Sequence, residues 1–414
     1  MISIDKFKFK NIRALIRVDF NVPLNENFEI TDDTRIRSSL PTIQKVLKDG
    51  GAVILMTHFG RPKSNLQSVK LGAEEKYSTR HLLAPLSEML GCEVIFGDDC
   101  GSEPTYKLAK ALQTGQVLLL ENTRFYAEET QGDEEFAQML ATLGDVYIND
   151  AFGSAHRAHA STTQVAHYFA EDKKMFGFLM KAEVENAEKV LHNAVHPLTA
   201  IVGGAKVSDK ILILENLLHI ANNIIIGGGM AYTFIKAQGG QIGQSLVEED
   251  KLDLATSLLK KAAGKNVQIY LPVDSVVADK FAPDANAKTQ KSNHIDSGWM
   301  GLDIGDQAIK EFSEVIIQSK TILWNGPMGV FEMDKFSKGT ATIAKKVAEA
   351  TKLGAFSLVG GGDSVAAINS FNLQDEVSFI STGGGAMLEF FEGKKLPGIE
   401  AIKSTEPEIP HSAN

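Results

Sequence analysis

A chain of 414 residues that is 43% hydrophobic and 23% charged has the apolar content for two or three ordinary domains with sizeable cores, and it is not the composition of a disordered protein. A formal net charge of -10 argues against nucleic acid or an anionic membrane as the main partner; with no charged-then-apolar leader and no apolar run near the roughly 20 residues that span a bilayer, a cytoplasmic protein is expected. Cys92 and Cys100 are too few for a disulfide framework or a thiolate metal site and are expected to be reduced packing residues.

In chain order, the first half alternates short apolar strands with polar stretches: Ala14 to Val18, Ala52 to Met56, Glu93 to Phe96, Val117 to Leu120 and Asp145 to Ile148. Helical patterns over Leu82 to Leu90 and Glu134 to Leu143 separate them, which predicts an α/β domain with a mainly parallel sheet. Polar groups follow each strand. Asp19 and Asn21 come after the first, His58 and Arg61 after the second, Glu121 and Arg124 after a later one, and Asn149, Asp150, His156 and Arg157 after the last. Ligands of open α/β sheets bind outside the carboxyl ends of the strands, so these groups are expected to converge on one crevice. Arg35 is expected on an intervening loop, in Thr-Asp-Asp-Thr-Arg-Ile.

All eight arginines (13, 17, 35, 37, 61, 80, 124 and 157) lie in this first half, and every later basic residue is lysine or histidine. Any single arginine reads as an ordinary surface or ion-paired residue. Four of them with a histidine at repeated strand ends point to a small, multiply anionic ligand, because guanidinium forks match carboxylate and phosphate. His156 and His159 have no third ligand at suitable spacing, so a metal there is not expected.

From Lys173 to Asn193 apolar residues recur at three- and four-residue steps, from Phe176 and Leu179 to Val190 and Leu191, which predicts one continuous amphipathic helix. It separates two α/β patterns and reads as a connector whose ends could bend.

The second half repeats one device four times, an apolar strand running into glycines and then a helix. The instances are Ile201-Val202 into Gly203-Gly204-Ala205-Lys206, Ile224 to Ile226 into Gly227-Gly228-Gly229, Leu358-Val359 into Gly360-Gly361-Gly362-Asp363-Ser364, and Phe379 to Thr382 into Gly383-Gly384-Gly385. A fifth strand, Thr321 to Trp324, ends in Asn325-Gly326-Pro327-Met328-Gly329-Val330-Phe331-Glu332. Strand-to-helix turns often need one left-handed residue, yet four such turns in one domain suggest a ligand approached by backbone N–H groups. Asp363 either N-caps its helix or holds a magnesium ion brought by a nucleotide. Lys206 and Lys210, four residues apart, are expected on one face of the first turns of a helix. The macrodipole disfavours cations there, so they are either solvated lysines or phosphate ligands.

Several phosphate-handling signatures are absent. No Gly-x-x-x-x-Gly-Lys-Ser/Thr run occurs, and the third glycine of a dinucleotide fingerprint is replaced by Val365, Tyr232 or Leu388 at the triple-glycine turns. Asp150-Ala151-Phe152-Gly153 is not accompanied by the other protein-kinase motifs. Gly362-Asp363-Ser364-Val365-Ala366 approximates the serine-hydrolase elbow, but the only later histidine is His411 in a polar tail, which disfavours that alternative. A non-catalytic nucleotide-binding module would account for the glycine turns but not for the arginines of the other half.

Taken together, the motifs resemble those of the phosphoglycerate kinases over nearly the whole chain. They are Arg17 to Pro23 (RVDFNVP), His58 to Pro62 (HFGRP), Asn149 to Gly153 with His156 to His159, Gly203 to Lys210 (GGAKVSDK), Trp324 to Pro327, Gly360 to Ser364, and Ser381 to Gly385. The resemblance implies reversible phosphoryl transfer between ATP and the carboxylate of 3-phosphoglycerate, with ADP and 1,3-bisphosphoglycerate as the other pair. It implies a cytoplasmic monomer with two similar-sized, doubly wound domains: 1–172 for phosphoglycerate, a connecting helix 173–193 with a hinge, and 194–399 for the Mg2+-bound nucleotide, the tail 400–414 packing on the first.

Carried over residue by residue, the resemblance assigns Asp19, Asn21, His58, Arg61, Arg124 and Arg157 to phosphoglycerate, beside Phe20, Phe59 and Gly60. It assigns Arg35 to the transferring phosphoryl group. Lys206, Lys210, Gly361 and Gly362 are implied at the nucleotide phosphates with Ala205, Asn325 and Ser364, Asp363 at magnesium, and Glu332 at the ribose. Gly204, Gly228, Gly229, Gly301, Pro327 and Val330 are implied around the adenine. Phe59, Thr123, Ser364, Met387 and Gln307 depart from the usual family residues, and none of these departures removes a charge.

Overall fold

Runs of branched apolar residues without polar alternation suit strands covered on both faces, and such strands pair in parallel. The protein, described here from a computed structural model covering residues 2–63, 65–67 and 74–403, uses them to build two sheets. Each sheet belongs to its own unit. The first unit is the chain as far as Val184 together with the residues from Lys395, and the second is Glu185–Lys394.

In the first unit β1 (Arg13–Val18), β2 (Ala52–Met56), β3 (Val94–Gly97), β4 (Val117–Leu120), β5 (Val146–Asp150) and β6 (Lys174–Phe176) lie in the order β3-β4-β2-β1-β5-β6, every pair parallel. Leu15 sits between Ile54 and Tyr147 in register, and Ile16, Val18, Phe20, Ile43 and Ile148 belong to one buried cluster. The chain leaves β1 toward β2 and later crosses back to β5 on the opposite side of β1. A topological switch point therefore lies between β1 and β5.

The second unit repeats the plan with β7 (Leu198–Val202), β8 (Asn223–Ile226), β10 (Gln268–Tyr270), β15 (Thr321–Asn325), β16 (Phe356–Val359) and β17 (Phe379–Ile380), ordered β10-β8-β7-β15-β16-β17. All are parallel, and the switch point lies between β7 and β15. Two small sheets were not anticipated. β11 (Asp274–Ala278) pairs antiparallel with β12 (Ala287–Lys291) and β14 (Met300–Ile304), and β9 (Gln241–Ile242) pairs parallel with β13 (His294–Ile295). Their segments are short or polar: β12 reads Ala-Lys-Thr-Gln-Lys and is largely exposed, so it carries no core-facing pattern.

The expected helix over 173–193 is corrected. Lys174–Phe176 is β6, and the helix starts at Phe178 and ends at His192. Gly177 separates the two because the Asp150 carboxylate occupies the space a side chain would need, with Oδ1 2.1 Å from an ideal Cβ. The same Oδ1 accepts from the Met180 N–H at 3.1 Å, so Asp150 satisfies the start of this helix from the end of β5. The helix then crosses from the first unit into the second between Val184 and Glu185.

Other boundaries shift by a few residues. Leu82 closes a 3-10 turn, Thr79–Leu82, before the helix Leu83–Leu90, and the later helix spans Glu134–Ala141. After the second sheet the helix Pro397–Lys403 rejoins the first unit. Gly398 N–H donates to the Ala155 carbonyl at 2.8 Å, and its own carbonyl accepts from Asn149 Nδ2 at 3.3 Å. The tail beyond it, 404–414, lies outside the described residues, as does His411. Among the described residues no helix is long and apolar enough to cross a membrane.

Candidate active site

Four neighbouring strands of the first sheet, β4-β2-β1-β5, release their carboxyl ends side by side. Asp19, Phe20 and Asn21 follow β1, and His58, Phe59, Gly60 and Arg61 follow β2. Arg124 sits in the 3-10 turn Thr123–Phe125 after β4, and Arg157 in the chain after β5. Arg35 joins them from the first turn of the helix Thr34–Lys48, not from a loop as expected, with Nη1 3.0 Å from Asp19 Oδ2. The Gly60 N–H donates to Asn21 Oδ1 at 2.7 Å and locks two strand ends together.

The electrostatics of this end are those of an anion site. Burial weakens the Arg124 guanidinium, and Arg17, Arg61 and Arg157 around it add repulsion that Glu129 only partly offsets. Arg124 Nε is buried and has no hydrogen-bond partner. A buried donor without an acceptor is costly, and a multiply charged anion would remove both penalties. Burial alone would raise the Asp19 carboxyl. The nearby guanidiniums of Arg35 and Arg17 oppose this by favouring its ionised form. Burial pushes His58 down to about 3, with Arg17, Arg124 and Arg35 adding to it and Asp19 opposing, and burial with Arg124, Arg17 and Arg157 pushes His159 down to about 4.

Not every sequence candidate belongs here. Asn149 and Asp150 lie within β5, fully buried, and act structurally. Glu121 accepts from Ser78 Oγ, Thr79 N and Asn122 N, which ties it to a turn rather than to the crevice. Arg13 pairs with Asp145 and Arg37 with Asp33, while Arg80 stacks on Phe96. Asn122, by contrast, went unnoticed. Its Oδ1 accepts from both Phe59 N and Arg124 N at 3.0 Å, and its Nδ2 donates to the Phe59 and Tyr77 carbonyls. One buried amide thus fixes the spacing of the segments that follow β2 and β4.

The glycine turns of the second unit follow β7, β8, β16 and β17, and with the turn after β15 they share one sheet edge. At the switch point two backbones meet. Gly203 N–H donates to the Asn325 carbonyl at 2.9 Å, and an ideal Cβ on Gly203 would lie 2.0 Å from the Pro327 carbonyl oxygen. Gly326, at φ +108°, would place its own Cβ 2.1 Å from Gly203 O. Only glycine permits this approach.

Beside it opens a cavity of about 490 Å³. Gly204, Ala205, Gly228, Gly229, Gly301, Pro327, Val330, Glu332 and Asp363 line it, all of them sequence candidates. Leu246, Phe281, Met300 and Tyr232 also line it and were not anticipated. Phe281 is 62% exposed and Leu246 48%, an unusual placement for large apolar groups unless a flat ring covers them. They lie far from any glycine motif in sequence, so no local pattern marked them.

After β7, Lys206 precedes the helix instead of sharing a face with Lys210, which closes the 3-10 turn Ser208–Lys210 ahead of Ile211–Leu217. Burial lowers the Lys210 ammonium while Asp363, Asp209 and Glu392 pull it back up. Asp363 does not N-cap its helix. Gly361, at φ +93°, takes the position before Gly362–Ser370, and no side chain caps that end. The N–H groups of the first turn are therefore left for a ligand, with the exposed Asp363 beside them. Ser364 is fully buried and its Oγ accepts from the Gly326 N–H, a packing role that removes the hydrolase alternative. Among the described residues no group of three His, Cys, Asp or Glu is placed to hold a metal ion.

A profile of the family described as phosphoglycerate kinase matches residues 4–394. The chain belongs to the phosphoglycerate kinase family. It is 53% identical to the phosphoglycerate kinase of Porphyromonas gingivalis, over 97% of this chain and 100% of that one. It is also 53% identical to the cytosolic phosphoglycerate kinase 3 of Arabidopsis thaliana, over 95% of this chain and 96% of that one. The solved phosphoglycerate kinase of Coxiella burnetii superposes with a TM-score of 0.88 at 41% identity, covering 97% of this chain and 98% of that one. The kinase accordingly catalyses phosphoryl transfer between ATP or ADP and the phosphoglycerates.

Proposed function

We propose that the crevice at the β1/β5 switch point holds 3-phosphoglycerate or 1,3-bisphosphoglycerate, and that the cavity at the β7/β15 switch point holds ATP or ADP. The observation that carries this division is the buried, partnerless Arg124 Nε among four arginines, in a unit that lacks the glycine-turn cavity of the other. Arg61, Arg124 and Arg157 with His58 bind the anionic acceptor, and Asp19 and Asn21 orient its hydroxyl and phosphate ends. The Leu246 and Phe281 side chains cover the base, Glu332 takes the ribose, and Lys206 and Lys210 take the phosphates.

The acceptor carboxylate has a pKa near 4 and is already ionised at neutral pH, so transfer to it needs no general base. What the reaction needs is placement and positive charge where the transferring oxygens gain negative charge. Arg35, Lys210 and the N–H groups after Gly361 supply it. A single exposed carboxylate, Asp363, would hold a magnesium ion brought by the nucleotide. When bound, that ion neutralises charge on the phosphates.

Calorimetry on two variants tests the division. Lys210→Met should lose affinity for ATP with magnesium and keep it for 3-phosphoglycerate, and Arg61→Met should do the reverse. Loss of both ligands in either folded variant would sink the proposal.

A further inference from the structure

Arg17 is the largest buried charge in the first unit that the proposed roles leave unused. It lies in β1 with no exposed surface, although arginine is among the residues least often fully buried. Its donors go to three places. Nε donates to Ser161 Oγ at 2.8 Å, Nη1 to the Val18 carbonyl, and Nη2 lies 3.2 Å from His58 Nδ1.

The direction of each bond can be derived. Glu129, itself fully buried, accepts from Ser161 N–H at 2.9 Å and from Ser161 Oγ at 2.6 Å. The serine hydroxyl has one proton, and giving it to Glu129 leaves only lone pairs facing Arg17. Arginine has five donors and no acceptor, so Nη2 can only donate to the ring nitrogen it meets. His58 Nδ1 must then carry a lone pair. Asp19 Oδ1, 4.0 Å from Nδ1, is beyond hydrogen-bond reach and does not compete for a proton there.

We infer that Arg17 is a positioning residue, oriented by the buried Glu129–Ser161 pair, that fixes His58 as the Nε2–H tautomer and so presents it to bound phosphoglycerate as a neutral hydrogen-bond donor. The inference rests on the proposed membership of His58 in the phosphoglycerate crevice. An imidazolium would set an Nδ1–H against the Arg17 N–H. The charged groups around His58 are Asp19, Arg17, Arg124 and Arg35, three of them cations, and with burial they disfavour the protonated ring. His58 therefore contributes direction and the arginines contribute charge. The device also keeps the donor insensitive to pH across the range where an ordinary histidine would titrate.

The test is NMR on the full-length protein with 15N-labelled histidine, His58 being assigned from the signal absent in His58→Ala. A protonated Nε2 with an unprotonated Nδ1 is expected from about pH 5.5 to 8, with and without 3-phosphoglycerate. An Nδ1–H tautomer, or a ring that charges within that range, would overturn the inference, and this result needs no variant at Arg17. Arg17→Lys keeps the charge but not the fork. It should mix the two tautomers and weaken 3-phosphoglycerate binding about ten- to hundredfold, with ATP affinity unchanged. Mixed tautomers with undiminished 3-phosphoglycerate affinity would also overturn it. Full 3-phosphoglycerate affinity in His58→Ala would instead remove His58 from the crevice, a failure of the underlying reading that leaves the tautomer result standing.

Discussion

The Asn325 side-chain amide donates to the Gly360 carbonyl at 2.7 Å while its oxygen accepts from the Lys210 ammonium. One residue at the end of β15 thereby ties the glycine turn after β16 to Lys210, placed after β7. Asn325→Ala leaves a buried carbonyl and a half-buried ammonium without their partner. Chemical denaturation should report a loss of about 1–3 kcal/mol, and titration should show weaker ATP binding with 3-phosphoglycerate binding intact. Unchanged ATP affinity would show that Lys210 does not depend on this anchor.

Two glycines separate folding from binding. Gly203→Ala forces a methyl group into the Pro327 carbonyl, which neither backbone can avoid, and should cost about 3 kcal/mol of stability. Gly362 has no heavy atom within 4 Å of an ideal Cβ and lies in a helix. Gly362→Ala should melt at the same or a slightly higher temperature, since alanine gains about 1 kcal/mol over glycine in helices. It should nonetheless weaken ATP, because the methyl projects where a phosphate approaches the backbone. Thermal melts and calorimetry on the pair decide both points.

Arg35 is 41% exposed at its side chain and hydrogen-bonds the Asp19 carboxylate. Such a partner is exchangeable. Arg35→Ala should lower kcat by about 10³-fold or more, by analogy with arginines that stabilise transferring phosphoryl groups, and leave the ATP dissociation constant within about twofold. A variant that kept more than about a tenth of the rate would remove Arg35 from the transition state.

Asp303 provides the pH test. Burial pushes its carboxyl up to about 7, against the Gly339 and Ile304 N–H groups and Lys338, which favour the ionised form. An unfolded aspartate titrates near 4, so between about pH 4 and 7 the native state binds the extra proton. Stability from this group is present at low pH and falls as pH rises toward 7. Melting curves from pH 5 to 8 should show that decline in the wild type and a flatter profile in Asp303→Asn. Parallel profiles would mean that another group titrates.

The glycine turns of the second unit were legible in the sequence because the repeated strand-glycine-helix pattern is local. The arginines of the first unit were legible as a set but not as individuals. Arg13, Arg37 and Arg80 are structural and Arg17 is buried beneath the crevice, distinctions that depend on which face of which strand each occupies. The helix expected over 173–193 failed for a similar reason: periodicity there continued through Phe176, and only the Asp150 carboxylate pressed against Gly177 forces the break.

The sequence by itself determined that this protein has two parallel α/β units, that the arginines belong to the first and the glycine turns to the second, and which family they resemble. These follow from short-range patterns of hydrophobicity and turn chemistry. The tertiary structure alone decided that Asp363 is no helix cap, that Ser364 is a buried acceptor, that Phe281 and Leu246 line the cavity beside the glycine turns, and that Arg17 backs His58. The reason is physical: strand order brings together residues more than a hundred positions apart, and the direction of a hydrogen bond depends on the partner that arrives.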